Sequence, residues 1–223
     1  MHVGHYLSVI KPGREGVEVL VANYHAPEEV NVEGSIDTLK RFGVTRIRLQ
    51  REVFNAQLYF ELLNLAKIGD LNRMTQYKSA EEDDRTAQLL TYPVLMAHDV
   101  AGFEEVVVGI DQEQHLQYAR KLLRKYNSLG HDIMIPKANI VVGRVKDLRD
   151  PDKKMSKSSP QGCLFLDDEP DVIRQKIRRA TTNPEGLANL HLLYGEFVGG
   201  EVPEKNEELK NHLAEKLIEE FNR

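Results

Sequence analysis

A parallel α/β sheet followed by a helical region is the fold class this chain predicts, on three observations. Short β-branched runs alternate with helical segments as far as about Val145. Beyond that point only Cys163 to Leu166 reads as a strand. A polar stretch rich in Lys, Asp, Ser and Pro, Asp147 to Pro160, separates the two regimes.

The first strand is Val17 to Ala22, a continuous apolar run with a single glutamate, which suits a buried position. Glu28 to Phe42 follows at helical spacing, with Val32, Ile36, Leu39 and Phe42 on one face, and Gly43 stops it. Arg46 to Leu49 reads as a second strand and Val53 to Leu65 as a second helix. Ser79 to Val100 reads as mostly helical but broken near Tyr92-Pro93, because proline donates no backbone N–H. Val106 to Val108 is a third strand, Glu113 to Tyr126 a helix, and Asn139 to Val142 a fourth strand. Three helices close the chain: Pro170 to Thr181, Leu187 to Phe197 and Glu204 to Phe221. The division expected is a sheet domain over 1–147 and a loop with helical domain over 148–223. The 147–160 loop is expected to be exposed and mobile.

The 223 residues are 41% hydrophobic and 29% charged, the composition of an ordinary globular chain. A formal net charge of −5 means that any contact with RNA must come from a local basic patch. One cysteine, Cys163, excludes an internal disulfide framework, and no apolar run approaches the roughly 20 residues that span a bilayer. No signal peptide is legible, so a cytoplasmic location without membrane attachment is the expectation.

Two clusters could carry chemistry. His2-Val3-Gly4-His5 leads into a short apolar helix, where a glycine lets phosphate approach the backbone and the helix start favours anions. Lys154-Met155-Ser156-Lys157-Ser158 places two lysines within reach of one polyphosphate, with small hydroxyl residues that allow a tight turn. Apart, each has a bland reading: incidental terminal histidines, and a solvated lysine face.

Together the two clusters resemble the paired "HIGH" and "KMSKS" motifs of class I aminoacyl-tRNA synthetases. The first matches with valine for isoleucine and the second without change. Gly109-Ile110-Asp111-Gln112-Glu113-Gln114-His115 resembles the Gly-x-Asp-Gln-x-x-His stretch of tryptophanyl- and tyrosyl-tRNA synthetases, at the strand end where open α/β sheets bind ligands. The ordinary reading of Asp111 and Gln112 is a helix N-cap. Tyr92-Pro93-Val94-Leu95-Met96-Ala97-His98-Asp99 is similar to the pocket segment of the bacterial-type tryptophanyl enzymes. Met96 and Asp99, three apart, can face one pocket. Indole N–H only donates, so one carboxylate acceptor satisfies it. Tyrosyl enzymes place a glutamine where Met96 stands; methionine instead offers a soft wall for a large ring. Gly69 to Lys78 resembles a further family segment.

The resemblance implies a Rossmann-like sheet and ATP-dependent activation of L-tryptophan, then transfer to tRNA(Trp), by a homodimer using Mg²⁺. It implies catalytic roles for His2, His5, Lys78, Lys154 and Lys157. The implied ATP contacts are Gly4, His5, Gly109, Ile110, Asp111 and Val145, with the Arg144-Val145 backbone on adenine, and Lys154, Met155, Ser156, Lys157 and Ser158. The implied tryptophan contacts are Tyr92, Met96, Asp99, Val106, Val108 and Gln112, and no residue is assigned to a metal. A tyrosyl enzyme, or a synthetase-derived tryptophan or nucleotide sensor without full activity, are the alternatives.

The chain departs from the family pattern in four ways. It begins inside the histidine motif, without the strand and loop that precede it in the family. It ends at Arg223, within the expected helical domain, so a shortened chain is the expectation. Asn23-Tyr24-His25-Ala26 stands for Asp-x-His-Ala, and His98 replaces the usual small residue of the pocket segment.

Overall fold

The computed structural model describes residues 1–23, 31–141 and 145–222. Helices along the chain are α1 (Val3–His5), α2 (Lys11–Arg14), α3 (Val32–Arg41), α4 (Gln50–Val53), α5 (Ala56–Leu65), α6 (Ile68–Leu71), α7 (Thr75–Ser79), α8 (Ala87–Val100), α9 (Glu113–Asn127), α10 (Pro170–Arg178), α11 (Pro184–Phe197) and α12 (Asn206–Phe221). A wide helical turn, Tyr6–Ile10, joins α1 to α2. The strands are β1 (Val19–Val21), β2 (Ile47–Leu49), β3 (Glu105–Gly109) and β4 (Lys137–Val141).

Pairing is parallel, as the strand–helix alternation predicts. β1 lies on β2 with Val19 opposite Ile47, and β3 lies on β4 with Val106 opposite Ala138. Among the described residues these are two separate two-stranded sheets, not one continuous sheet. The chain forms two compact units. The first comprises Met1–Val17, Glu33–Thr45 and Val142–Arg223, and the second Glu18–Val32 and Arg46–Val141.

In the second unit, α8 and α9 bring Val94, Ala97, Val100, Leu116, Ala119 and Leu123 into one core, joined by Leu62 of α5. This packing explains why α8 runs unbroken through Pro93, against the expected break. Proline forfeits one backbone bond, but Pro93, Val94, Leu95 and Ala97 are buried, and that burial outweighs the loss. The same helix starts at Ala87 and not at Ser79, because the Thr86 side chain accepts the Leu89 N–H at 3.1 Å. The expected Val53–Leu65 helix is divided for a similar reason: Asn55 is extended and caps α5 through the Leu58 N–H. The start of the Glu28–Phe42 helix and the last residue of the Asn139–Val142 strand lie outside the described residues.

The first unit is held by an aromatic cluster. The Tyr6 ring lies 5.7 Å from Phe42, 5.2 Å from Phe197 and 5.8 Å from Phe221. The Tyr6 hydroxyl donates to Glu220, and Arg14 donates to that same hydroxyl at 2.8 Å and ion-pairs with Glu220. Cys163 to Leu166 forms no strand. It makes instead an isolated antiparallel bridge, His2 to Phe165, with the Val3 N–H donating to the Leu164 carbonyl at 2.9 Å. The three closing helices begin and end within three residues of expectation, and α11 starts early because Asn183 caps it through the Gly186 N–H at 2.8 Å. No helix among the described residues is long and apolar enough to cross a membrane.

Leu123 is fully buried in the second unit's core. Leu123→Ala is expected to cost about 2–5 kcal/mol of unfolding free energy, read from the urea midpoint, against under about 0.5 kcal/mol for a surface change such as Gln117→Ala.

Candidate functional site

The first unit assembles the histidine and lysine motifs. His2 is extended and caps α1, its Nδ1 accepting the Gly4 N–H at 3.0 Å. His5 returns the favour, its Nδ1 accepting the His2 backbone N–H at 3.4 Å. A Cβ on residue 4 would stand 2.8 Å from the His2 ring, so Gly4 is what lets that ring fold over the helix start. The two rings lie 4.0 Å apart, edge to face.

These contacts fix protonation. A ring nitrogen that accepts from a backbone N–H has no proton of its own, so each neutral ring carries its proton on Nε2. Burial, reinforced by His5, lowers the His2 pKa to about 3. Burial, reinforced by Lys157, lowers that of His5 to about 4. Lys154 also depresses both, which places the two lysines in the electrostatic neighbourhood of the two histidines. At neutral pH this is a pair of uncharged N–H donors beside two ammonium groups.

The lysine loop is rooted far more firmly than its composition suggests. Met155 donates its N–H to the Val145 carbonyl at 2.9 Å, and Asp147 to the Lys153 carbonyl at 3.0 Å. The side chain of Asn189 on α11 clamps Lys146, accepting its N–H at 2.9 Å and donating to its carbonyl at 3.0 Å. Asp147 is 2% exposed and its Oδ1 accepts the N–H groups of Arg149 and Asp150. Val145 and Met155 are buried, whereas Lys154, Ser156, Lys157 and Ser158 are exposed. The expectation of a wholly exposed loop is thus corrected: its root is buried, and Met155 anchors the loop while its neighbours face outward. At the tip, the Ser156 and Ser158 hydroxyls lie 2.9 Å apart. Arg144 lies outside the described residues.

The second unit carries the other expected residues. Tyr92, Met96 and Asp99 are half-buried on α8, and Met96 packs on the core together with Val106 and Val108 of β3. Burial, then the charges of Asp99 and Asp111, push the Tyr92 hydroxyl pKa up. The Tyr92 ring meets buried His115 at 5.3 Å, and His115 Nδ1 lies 3.3 Å from Gln112 Oε1. Gln112 stands at the N-cap position of α9, as its ordinary reading has it, but without a side-chain cap hydrogen bond, and its Nε2 donates to Asp111 Oδ2 at 3.3 Å. A Cβ at Gly109 would stand 2.7 Å from Asp111 Oδ1, so this glycine makes room for that carboxylate. Ile110 is exposed, and Lys78 is exposed on α7.

Asp99 is already hydrogen-bonded. Its Oδ1 lies 3.0 Å from His98 Nδ1, and its Oδ2 accepts from Gln50 Nε2 at 2.5 Å. Sequence reasoning missed Gln50, which is fully buried, although it directly follows the carboxyl end of β2, where such sheets bind ligands. It also missed Asn55, Asp147 and Asn189. Asn23, from the departing Asn-x-His-Ala stretch, is buried and accepts the Arg51 N–H at 3.0 Å. Tyr24, His25 and Ala26 lie outside the described residues.

Parallel β–α units, a histidine pair at a helix start and an anchored Lys-Met-Ser-Lys-Ser loop define the class: a class I synthetase-type nucleotide protein. The family model of class I tRNA synthetases (W and Y) matches residues 2–222, and the chain belongs to that family. It is 38% identical over 195 residues to tryptophan--tRNA ligase 1 of Streptomyces coelicolor, covering 74% of this chain and 58% of that protein. It is 33% identical over 234 residues to the tryptophan--tRNA ligase of Tropheryma whipplei, covering 87% and 69%. The solved tryptophanyl-tRNA synthetase of Mycoplasma pneumoniae superposes with a TM-score of 0.85 at 28% identity, covering 100% of this chain and 83% of that one. Tyrosyl-tRNA synthetase from Aeropyrum pernix, with a TM-score of 0.68 at 23% identity, shares the fold. The chain spans 58% of the Streptomyces relative's length.

Two outcomes follow from this geometry. Unfolded, His2 and His5 titrate near 6.5; folded, they stay neutral until about 3 and about 4. Their contribution to stability is therefore whole above pH 6.5 and lost as pH falls through that window. Urea denaturation at pH 7 and pH 5 is expected to show the loss, and His5→Gln to reduce it; an unchanged pH dependence in the variant refutes the assignment. At Gly162 a Cβ would overlap Asp147 Oδ1 at 1.7 Å, so Gly162→Ala is expected to destabilise by more than about 1 kcal/mol, read by thermal melting.

Proposed function

We propose that this chain activates L-tryptophan with ATP, giving tryptophanyl-adenylate and pyrophosphate, and passes the acyl group to tRNA(Trp). The observation that carries the proposal is the pairing of two neutral histidines with two lysines in the first unit. Nε2–H donors and ammonium groups suit phosphate oxygens. The names of the relatives support tryptophan as the amino acid. Met96 supports it too, because it brings no hydrogen-bond donor for a phenol oxygen.

In this reading a tryptophan carboxylate oxygen bonds to the α-phosphorus, and the bond from that phosphorus to the pyrophosphate oxygen breaks. No covalent enzyme intermediate is required, so rate comes from positioning and from stabilising charge on the leaving group. His2 and His5 donate hydrogen bonds to phosphate, with Gly4 leaving the backbone open. Lys154 and Lys157 supply positive charge, and Lys78 adds to it. Ser156 and Ser158 shape the turn, Met155 holds its root, and the Val145 backbone receives adenine. On the second unit, Gly109, Ile110 and Asp111 receive the ribose. Tyr92 and Gln112 receive the amino-acid end, and Met96, Asp99, Val106 and Val108 the indole. Donors of this kind fit phosphates and not a bare cation, so Mg²⁺ arrives as the counter-ion of ATP. A cytoplasmic homodimer accords with the family resemblance.

Tryptophan-dependent exchange of labelled pyrophosphate into ATP tests the activity, with tyrosine as the competing substrate. Exchange with tyrosine and none with tryptophan defeats the proposal. Lys157→Ala is expected to slow exchange by roughly 100-fold or more while leaving tryptophan affinity within about threefold. Equal losses in rate and affinity count against its role on the leaving group.

A further inference from the structure

His98 stands where the family carries a small residue, and the structure gives it two specific contacts. Its Nε2 accepts the backbone N–H of Asn55 at 2.9 Å, and its Nδ1 lies 3.0 Å from Asp99 Oδ1. A neutral imidazole has one N–H. Because Nε2 accepts, the proton resides on Nδ1, and the ring donates to Asp99 as an oriented neutral donor. The side chain is 4% exposed and its ring lies 4.9 Å from the Phe54 ring, which limits its rotation. Gln50, fully buried, holds the other carboxylate oxygen.

Two donors on two different oxygens fix the carboxylate plane. A carboxylate offers about four acceptor positions, so two remain, and Asp99 is only half-buried. We propose that His98 is a positioning residue: with Gln50 it aims Asp99 so that this carboxylate accepts a ring N–H and disfavours aromatic amino acids lacking one. The inference rests on the reading that tryptophan is the substrate and that Asp99 takes its indole N–H. It adds a specificity determinant, anchored through the Asn55 backbone, that acts without touching the ligand.

Two substitutions separate the two contacts. The amide nitrogen of His98→Asn falls near the place of Nδ1, keeping the donor to Asp99 and losing the acceptor for Asn55. The terminal amide of His98→Gln reaches the place of Nε2, keeping the acceptor for Asn55 and losing the donor. The chain contains no tryptophan, so the change in indole emission and anisotropy when L-tryptophan binds is read without an indole background from the protein. Competition then measures β-(3-benzothienyl)alanine, in which sulfur replaces the ring N–H. His98→Gln is expected to weaken tryptophan roughly tenfold or more while the analogue's affinity holds, erasing the preference. His98→Asn is expected to keep the preference to within about threefold, and neither change to move ATP affinity. A preference preserved in His98→Gln overturns the inference, as does an equal loss of both ligands or equal damage in both variants. A wild-type chain that binds tryptophan and the analogue alike instead sinks the tryptophan reading, and the inference with it.

Discussion

An imidazole nitrogen that accepts a backbone N–H cannot also carry a proton, and the chemistry of this chain depends on that rule at three places. The N–H of Gly4 sets the His2 tautomer, that of His2 sets His5, and that of Asn55 sets His98. Each ring is thereby turned into a donor of known direction. Two stand in the histidine motif at the start of α1 and one stands on α8. In no case is the outcome set by a side chain alone; the backbone at a helix start or an extended residue decides it.

The lysine loop depends on a different constraint, burial of polar groups at its root. Asp147 is almost wholly enclosed, and its enclosure is tolerable because two backbone N–H groups answer its carboxylate. Asn189 answers both backbone groups of Lys146. These bonds leave a short exposed tip with fixed ends. The tip holds the charges, and the root holds the geometry.

Much of this was legible in the sequence because it is periodic or contiguous. The strands and most helices fall where apolar spacing puts them, and the family motifs are short runs. What escaped is carried by pairs distant along the chain. Gln50 meets Asp99 across 49 residues, and Asn189 meets Lys146 across 43. Nothing local marks such a glutamine or asparagine as buried. Pro93 misled for the opposite reason: a strong local rule was overridden by packing of its helix in the core. The parallel pairing was foreseen, whereas its division into two separate pairs was not. The glycines divide likewise. Gly4 and Gly109 sit inside recognisable motifs, while Gly162 matters only because Asp147 fills the space its side chain would take.

The neutrality of His2 and His5 has a consequence for ionic strength. A motif of two histidines and two lysines invites a count of four positive charges, yet the folded rings supply none at neutral pH. Dissolved salt screens net charge far more than it screens short hydrogen bonds between partly buried groups. Under the proposed function, polyphosphate binding therefore weakens with added salt as for about two cations, leaving a salt-resistant share held by the imidazole donors.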